Sequence, residues 1–313
     1  MSEEFLLTEK YRPKTIKDCI LPTQLRETFE GFVKNGVPNL LLSGTPGVGK
    51  TTVARALLEE CGHDYILING SMRGNIDTLR TDIQDYASTS SFTGGRKYVI
   101  LDEADYLNPQ STQPALRGFM EQFSKNCGFI LTCNSRNKIL QALQSRTSVI
   151  DFHIPKAETA KIAGAFFERI KYILDEEGIT DYDEKVIKQL LILKFPDWRS
   201  VINEIQRYST NGRIDSGILL GSDSSNIKQA YDFCKGREFD KIRKWSASAV
   251  STTSPETLYA EIGKVFPKYM EKKFVPNLIV LLGEYQYKAA FVANQDINMT
   301  AFLVEVMGNC FPA

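Results

Sequence analysis

The sequence predicts a doubly wound parallel α/β sheet in its first half and a mostly helical second half. Three observations carry this. Short apolar runs alternate with amphipathic helical segments from Asn39 to Phe152. A glycine-rich turn, GTPGVGKTT from Gly44 to Thr52, joins the first apolar run to a helix. After Ile154-Pro155 the helical period takes over and strand-like runs stop.

Composition sets broad bounds. The 313 residues are enough for two or three domains with real cores. Lys+Arg and Asp+Glu are both 38, so global charge gives no sign of a nucleic-acid partner. A local basic face would still be enough to bind phosphate. No apolar run reaches membrane-span length, and no secretory leader pattern opens the chain. The six cysteines are scattered without a CxxC, and His63 and His153 are the only histidines. Free thiols in a reducing cytosol are therefore expected, and a zinc site is not.

In chain order, Thr8 to Pro13 reads as a polar, extended arm, with Pro13 biasing Arg12 to extended backbone. It could lie over a nucleotide base or be an ordinary surface arm. Gln24 to Lys34 reads as a helix ending near Gly36. Asn39 to Ser43 is a buried strand, and the segment from Lys50 to Glu60 a helix. Between them Gly44, Gly49, Lys50 and Thr51 satisfy G-x-x-x-x-G-K-[ST]. Gly47 and Gly49 carry no Cβ, so backbone amides can close around phosphate oxygens, at the positive end of a helix. Lys50 would reach the β- and γ-phosphates of ATP, and the Thr51 hydroxyl could ligate Mg²⁺.

Asp64 to Asn69 is a second strand, and Asn75 caps a helix through Ile76, Leu79, Ile83 and Tyr86. Ser88 to Gly95 reads as a turn. Lys97 to Leu101 is a third strand running into Asp102-Glu103-Ala104-Asp105. A buried strand ending in an acid pair suits Asp102 to Mg²⁺ and Glu103 to polarising a water. Ser111 to Phe123 is helical, and Cys127 to Cys133 a fourth strand ending at Asn134, on the ligand-binding side of an open sheet. Asn137 to Gln144 is a short helix, and Ser148 to Phe152 a fifth strand. Beyond the boundary, helices are expected over Glu158–Glu177, Asp183–Lys194, Trp198–Ser209, Ile227–Ala249, Pro255–Lys272, Val275–Ala293 and Met299–Cys310. Breaks are expected at Asn211-Gly212 and from Gly217 to Asn226.

EKYRP, GTPGVGKTT, VILDEAD, ILTCN, QSR and PDWRSVINEIQ occur in an order and spacing that resembles the AAA+ sliding-clamp loaders. Within them the chain is most similar to the large subunits of T-even-type bacteriophages, through ILPxxxxxTFxxF, NGS and FPDWR…YSxxG. The resemblance spans nearly the whole chain and is strongest to about Gly212. It implies an AAA+ ATPase domain over 1–152, a helical lid over 153–222 and a helical collar over 223–313. It places Thr8, Glu9, Lys10, Tyr11 and Ile20 on the adenine side, and Gly47, Val48, Gly49, Lys50, Thr51 and Thr52 around the phosphates. It makes Asn134 the sensor-1 residue, Arg199 the lid's sensor 2, and Arg146 an arginine finger reaching a neighbouring subunit's ATP. From spacing alone a surface arginine is the better reading for both Arg146 and Arg199.

Two departures stand out. The finger motif is Ser145-Arg146-Thr147 rather than Ser-Arg-Cys, and Pro114 occupies a helix where relatives carry a free amide. The implied partners are a smaller second loader subunit, a sliding clamp, primer–template DNA and copies of the chain itself, in a heteropentamer of the phage replisome in the host-cell cytoplasm. Backbone contacts to DNA are expected from Arg73 and Arg80. Leu278, Val280, Leu281 and Leu282 give the collar more apolar surface than one helix needs. A DEAD-type helicase would need a second strand-rich lobe, which the helical half does not offer. An AAA+ remodelling ATPase that does not act on DNA is the other alternative; protein-stimulated hydrolysis without a response to primed DNA would mark it.

Overall fold

A computed structural model describes residues 6–71, 76–89, 95–209, 214 and 223–311. The chain divides into two compact units, Met1–Ile214 and Asp215–Ala313.

The first unit is built on five parallel strands: β1 (Leu40–Ser43), β2 (Tyr65–Asn69), β3 (Lys97–Asp102), β4 (Cys127–Cys133) and β5 (Ser148–Asp151). Their order is β2-β3-β4-β1-β5. Leu40 and Leu42 face one core with Phe29, Val53 and Leu57, while Leu41 faces another with Leu116, Phe119 and Phe129. Both faces of β1, β3 and β4 are buried, which is why these strands read as continuous apolar runs, whereas the edge strands β2 and β5 are partly exposed. Chain direction across the sheet reverses at β1, between β4 and β5, so the carboxyl ends of these strands frame a crevice.

Helices cover both faces. They are α1 (Leu7–Lys10), α2 (Thr23–Asn35), α3 (Lys50–Glu60), α4 (Ile76–Ser88), α5 (Thr112–Gln122) and α6 (Gln141–Gln144). α2 stops at Gly36, as its sequence indicates. Pro114 is the third residue of α5, inside the first turn, where no amide partner is needed. Lys97, nearly buried, donates to the Tyr86 and Thr89 carbonyls at 2.8 and 3.1 Å and so closes the end of α4.

Three helices complete the unit: α7 (Thr159–Glu176), α8 (Glu184–Lys194) and α9 (Trp198–Ser209). Phe166, Ile170 and Ile173 of α7 are buried, as are Ile187 and Leu190 of α8 and Val201 and Ile205 of α9. Asp183 caps α8 by accepting from the Lys185 amide at 2.8 Å.

The second unit contains α10 (Asp223–Lys235), α11 (Phe239–Thr252), α12 (Pro255–Tyr269), α13 (Val275–Ala289) and α14 (Gln295–Cys310). They share one apolar core around Trp245, Tyr259, Phe266, Leu278 and Phe302. Its buried Asn298 is satisfied by donating to the Tyr259 hydroxyl at 2.9 Å.

Several sequence expectations are corrected. The arm is one helical turn at Leu7–Lys10 rather than extended, because Pro13 constrains Arg12 and not the residues before it. The segment Asn137 to Gln144 is a 3₁₀ turn at Arg136–Lys138 followed by α6. The expected helix from Ile227 to Ala249 breaks at Gly236, where the chain turns through Arg237 with φ 55°. Asn226, expected in a break, lies within α10. Ser88, expected to open a turn, still belongs to α4, and residues 90–94 of the expected turn lie outside the described residues. Arg73, Asn75 and Asn211-Gly212 lie outside the described residues.

Candidate active site

The crevice at the carboxyl ends of β1, β3 and β4 is lined by the loop from Pro46 to Val53, by Asp102, Glu103, Thr132 and Asn134, and by Arg199. The loop turns through Gly47 and Gly49 at φ 75° and 92°, left-handed values that residues with a Cβ rarely adopt. Gly49 is the residue before α3, so the first amides of that helix open into the crevice.

Lys50 is 7% exposed. Its ammonium donates to the Gly44 and Thr45 carbonyls at 2.8 and 2.9 Å and to Asn134 Oδ1 at 3.0 Å. Burial pushes its pKa below the usual lysine value, against the opposing pull of nearby acidic groups. The same contacts bring Asn134 to the phosphate loop.

Asp102 forms the second focus. Its Oδ1 accepts from Thr51 Oγ1 at 2.7 Å and from Thr132 Oγ1 at 2.5 Å. A hydroxyl beside a carboxylate fits the sparse protein ligation typical of Mg²⁺, which completes its shell with phosphate oxygens and water. Thr132 also accepts from the Glu103 amide at 3.2 Å. Glu103 has φ 54° and ψ 44°, a left-handed conformation that costs a non-glycine residue about 1–2 kcal/mol. The Thr132 hydroxyl is one of the contacts that holds it there.

Helices α7 and α9 line the crevice as well, through Phe166, Trp198 and Arg199. The Trp198 amide donates to the Gly47 carbonyl at 3.2 Å, and Asp197 Oδ1 accepts from the Ser200 amide at 2.9 Å. The start of α9, with Arg199, therefore sits on the phosphate loop. The arm ties in as well. The Leu7 amide donates to Gln206 Oε1 at 3.1 Å, and the Tyr11 hydroxyl to Glu177 Oε1 at 2.6 Å. Burial and this carboxylate together push the Tyr11 phenol up to about 12.

Most of the residues placed near the nucleotide do meet here. Thr8, Glu9, Tyr11, Ile20, Gly47, Val48, Gly49, Lys50, Thr51, Thr52, Asp102, Glu103, Asn134 and Arg199 all line the crevice. Lys10 does not. It is turned to the lid, with its ammonium on Glu177 Oε1 at 2.7 Å. Arg146 also lies outside the lining. Its guanidinium holds Glu121 Oε1, at 2.9 Å through Nε and 2.5 Å through an NH2 group. That hydrogen bond keeps the Glu121 carboxyl below the usual carboxylate range. Arg80 is exposed on α4.

Two family models match the chain. Residues 40–156 match the ATPase family associated with various cellular activities. Residues 158–220 match the AAA+ ATPase lid domain of the sliding-clamp-loader large subunit. The sliding-clamp-loader large subunit of Enterobacteria phage T4 is 32% identical, over 97% of this chain and 96% of its own. The chain belongs to the sliding-clamp-loader large subunits. The counterpart from Escherichia phage RB69 is 36% identical with the same two coverages. The chain is also similar to the replication factor C small subunit of Sulfurisphaera tokodaii, at 35% identity over 98% of this chain and 96% of that one. Among solved structures, a variant of Thermotoga maritima RuvB shares the fold, with TM-score 0.56, 16% identity, and 82% and 91% of the two chains covered.

As a member of this family the chain is an AAA+ ATPase that binds nucleotide. Two groups, one in the crevice and one outside its lining, carried no local sequence signal. Thr132 is one interior position of an apolar strand, and only the alignment of β3 with β4 brings it to Asp102. Gln113 is 1% exposed and lies behind the crevice. It donates to the Leu107 and Lys138 carbonyls at 3.0 and 2.9 Å and accepts from the Leu140 amide at 2.8 Å. It thus joins the loop after Glu103 to the loop after Asn134 and to the approach to α6.

Proposed function

We propose that this chain is the ATP-hydrolysing subunit of a loader that opens a ring-shaped sliding clamp and leaves it on primer–template DNA, in a phage replisome in the host-cell cytoplasm. The observation that carries the reading is the division of the hydrolytic groups. Lys50, Thr51, Asp102, Glu103, Asn134 and Arg199 converge on one crevice, whereas Arg146 stands outside it, on Glu121. If Arg146 is the finger, its place outside its own crevice leaves it to serve a neighbouring subunit's site.

Each side chain then has a task. Lys50 exchanges its carbonyl partners for phosphate oxygens, and the amides of the phosphate loop take the remaining charge. Thr51 and Asp102 would hold Mg²⁺, which when bound neutralises charge on the phosphates. Glu103 accepts a hydrogen bond from the attacking water and orients it, while Asn134 fixes the far side of the phosphate end. Arg199 reports lid closure to its own nucleotide. Arg146 leaves Glu121 to stabilise charge at a neighbour's site.

The reading assigns residues 1–152 to the ATPase domain, 153–222 to the lid and 223–313 to a collar that joins copies of the chain with a smaller second subunit in a heteropentamer. The exposed side of α13 supports the collar. Leu278, Leu281 and Leu282 face its own core, but Ile279, Val280 and Tyr287 are 55, 68 and 70% exposed, and Phe291, just past the helix end, is 74% exposed. Arg80 is the described candidate for DNA backbone contact.

The test is ATP hydrolysis by the assembled complex with and without clamp and primed DNA. Strong stimulation by both together is expected. Stimulation by a protein substrate, with no response to primed DNA, would favour a remodelling ATPase instead.

A further inference from the structure

We propose that Arg169 is a nucleoside-contacting residue, whose guanidinium lies against the purine ring and sets the preference of the site for purine nucleotides. This rests on the reading of the crevice as an ATP site.

Arg169 is on α7, and Phe166, Arg169 and Ile173, at helical spacing, all line the crevice. The two ends of that stripe are located by their neighbours. Phe166 stacks on Trp198 with ring centroids 4.2 Å apart, and the Trp198 amide is bonded to Gly47. That end belongs to the phosphate loop. Beyond Ile173, Glu177 holds the Tyr11 hydroxyl, so the other end belongs to the arm. Arg169 stands between them, past the phosphates and before the arm.

Its surroundings there are mainly apolar, and the Asp18 carboxylate in the same lining is engaged by the Thr15 hydroxyl at 2.7 Å. Ile20, Leu21, Phe166 and Ile173 form the wall on this side. Arg169 is half-buried, and among the described residues no carboxylate pairs with it; its guanidinium lies 5.9 Å from the centre of the Tyr172 ring. Of the other arginines in the crevice, Arg12 is already paired with Glu9, and Arg199 is placed at the phosphate loop. Cys19, whose thiol burial pushes up to about 12, is close enough that the Arg169 charge opposes the rise.

A partly buried guanidinium that no carboxylate hydrogen-bonds gains when a ligand completes its surroundings. A planar cation in an apolar wall suits the face of an aromatic ring, and arginine stacks on such faces better than lysine does. Stacking on a face reads ring size rather than edge pattern. It therefore separates purines from pyrimidines more than adenine from guanine.

The experiment is calorimetric binding of ATP, CTP and inorganic tripolyphosphate to the full chain and its variants. Arg169→Ala is expected to weaken ATP by about 3- to 30-fold. CTP should change less, and tripolyphosphate should be unchanged. Arg169→Met, which keeps the apolar stem, should give the same pattern and decides the matter if the alanine variant does not fold. Arg169→Lys should recover only part of the loss. Equal weakening of ATP and tripolyphosphate, equal weakening of ATP and CTP, or no change in any ligand would overturn the assignment. Lys50→Ala separates the two levels of the argument, because it should weaken ATP and tripolyphosphate together. If it weakens neither, the reading of the crevice as an ATP site fails first.

Discussion

Gln113→Leu isolates the side chain that joins the two loops behind the crevice. Leucine has nearly the same volume, so the change removes hydrogen bonds without opening a cavity. The bond to the Leu107 carbonyl is fully buried, and those involving Lys138 and Leu140 are partly so. Leaving the buried carbonyl unpaired costs about 1–3 kcal/mol, and the two other bonds about 0.5–1.5 kcal/mol each. Some of this is offset by burying an apolar side chain, which leaves a net loss of about 3 kcal/mol. For a unit the size of Met1–Ile214 that lowers the melting temperature by about 6–12 °C. Thermal unfolding followed by circular dichroism measures the shift, and hydrogen exchange at the Leu140 amide locates it. ATP affinity should change little, because Gln113 does not line the crevice. A melting temperature within about 2 °C of the parent, with Leu140 still protected, would refute the claim that Gln113 holds these loops together.

Two further outcomes are expected. Lys50→Ala should weaken ATP binding by at least about 10-fold, since a charge-assisted contact to phosphate contributes about 1.5–3 kcal/mol; calorimetry on the isolated chain reads this directly. Tyr11 is raised from 10.0 to about 12, so its anchoring of the arm is fully present below pH 10 and is lost as pH rises through about 12. Difference absorbance titration of the parent against Tyr11→Phe should remove one late-titrating phenol, and Glu177→Ala should move that phenol to lower pH; a Tyr11 that titrates normally in the parent would remove the Glu177 contact from the account.

The phosphate loop and the acid pair were legible because each is a local signature, a strand followed by a turn whose residues act together. Lys50 to Asn134 and Thr51 to Asp102 follow from those signatures once the strands are side by side. Thr132, Gln113 and Arg169 were not legible. Their roles come from strand register, from loops meeting behind the sheet, and from one face of a lid helix. The arm reads as extended because Pro13 disfavours helix at Arg12, but buried Leu7 and the Gln206 contact set one helical turn at residues 7–10. The second unit shows the same limit. Apolar spacing on α13 announced a buried face, but only packing tells Leu278 and Leu282, which are inside, from Val280, which is outside.

The central claim is that Arg146 acts on a neighbour's ATP, and mixing two inactive variants in the assembled complex tests it most directly. Arg146→Ala keeps its own Glu103 but offers no finger, and Glu103→Gln keeps its finger but cannot orient water. An arginine finger contributes about 10³–10⁵ in turnover, so each variant assembled alone should be nearly silent with clamp and primed DNA. Both should still bind ATP, because neither Arg146 nor the carboxylate charge of Glu103 belongs to the phosphate cradle. Hydrolysis that returns when the two are mixed, at interfaces where an intact Arg146 meets an intact Glu103, is the predicted result. Mixed complexes that assemble normally and stay silent, or an Arg146→Ala chain whose basal hydrolysis in isolation falls as far as it does in the complex, would contradict the account.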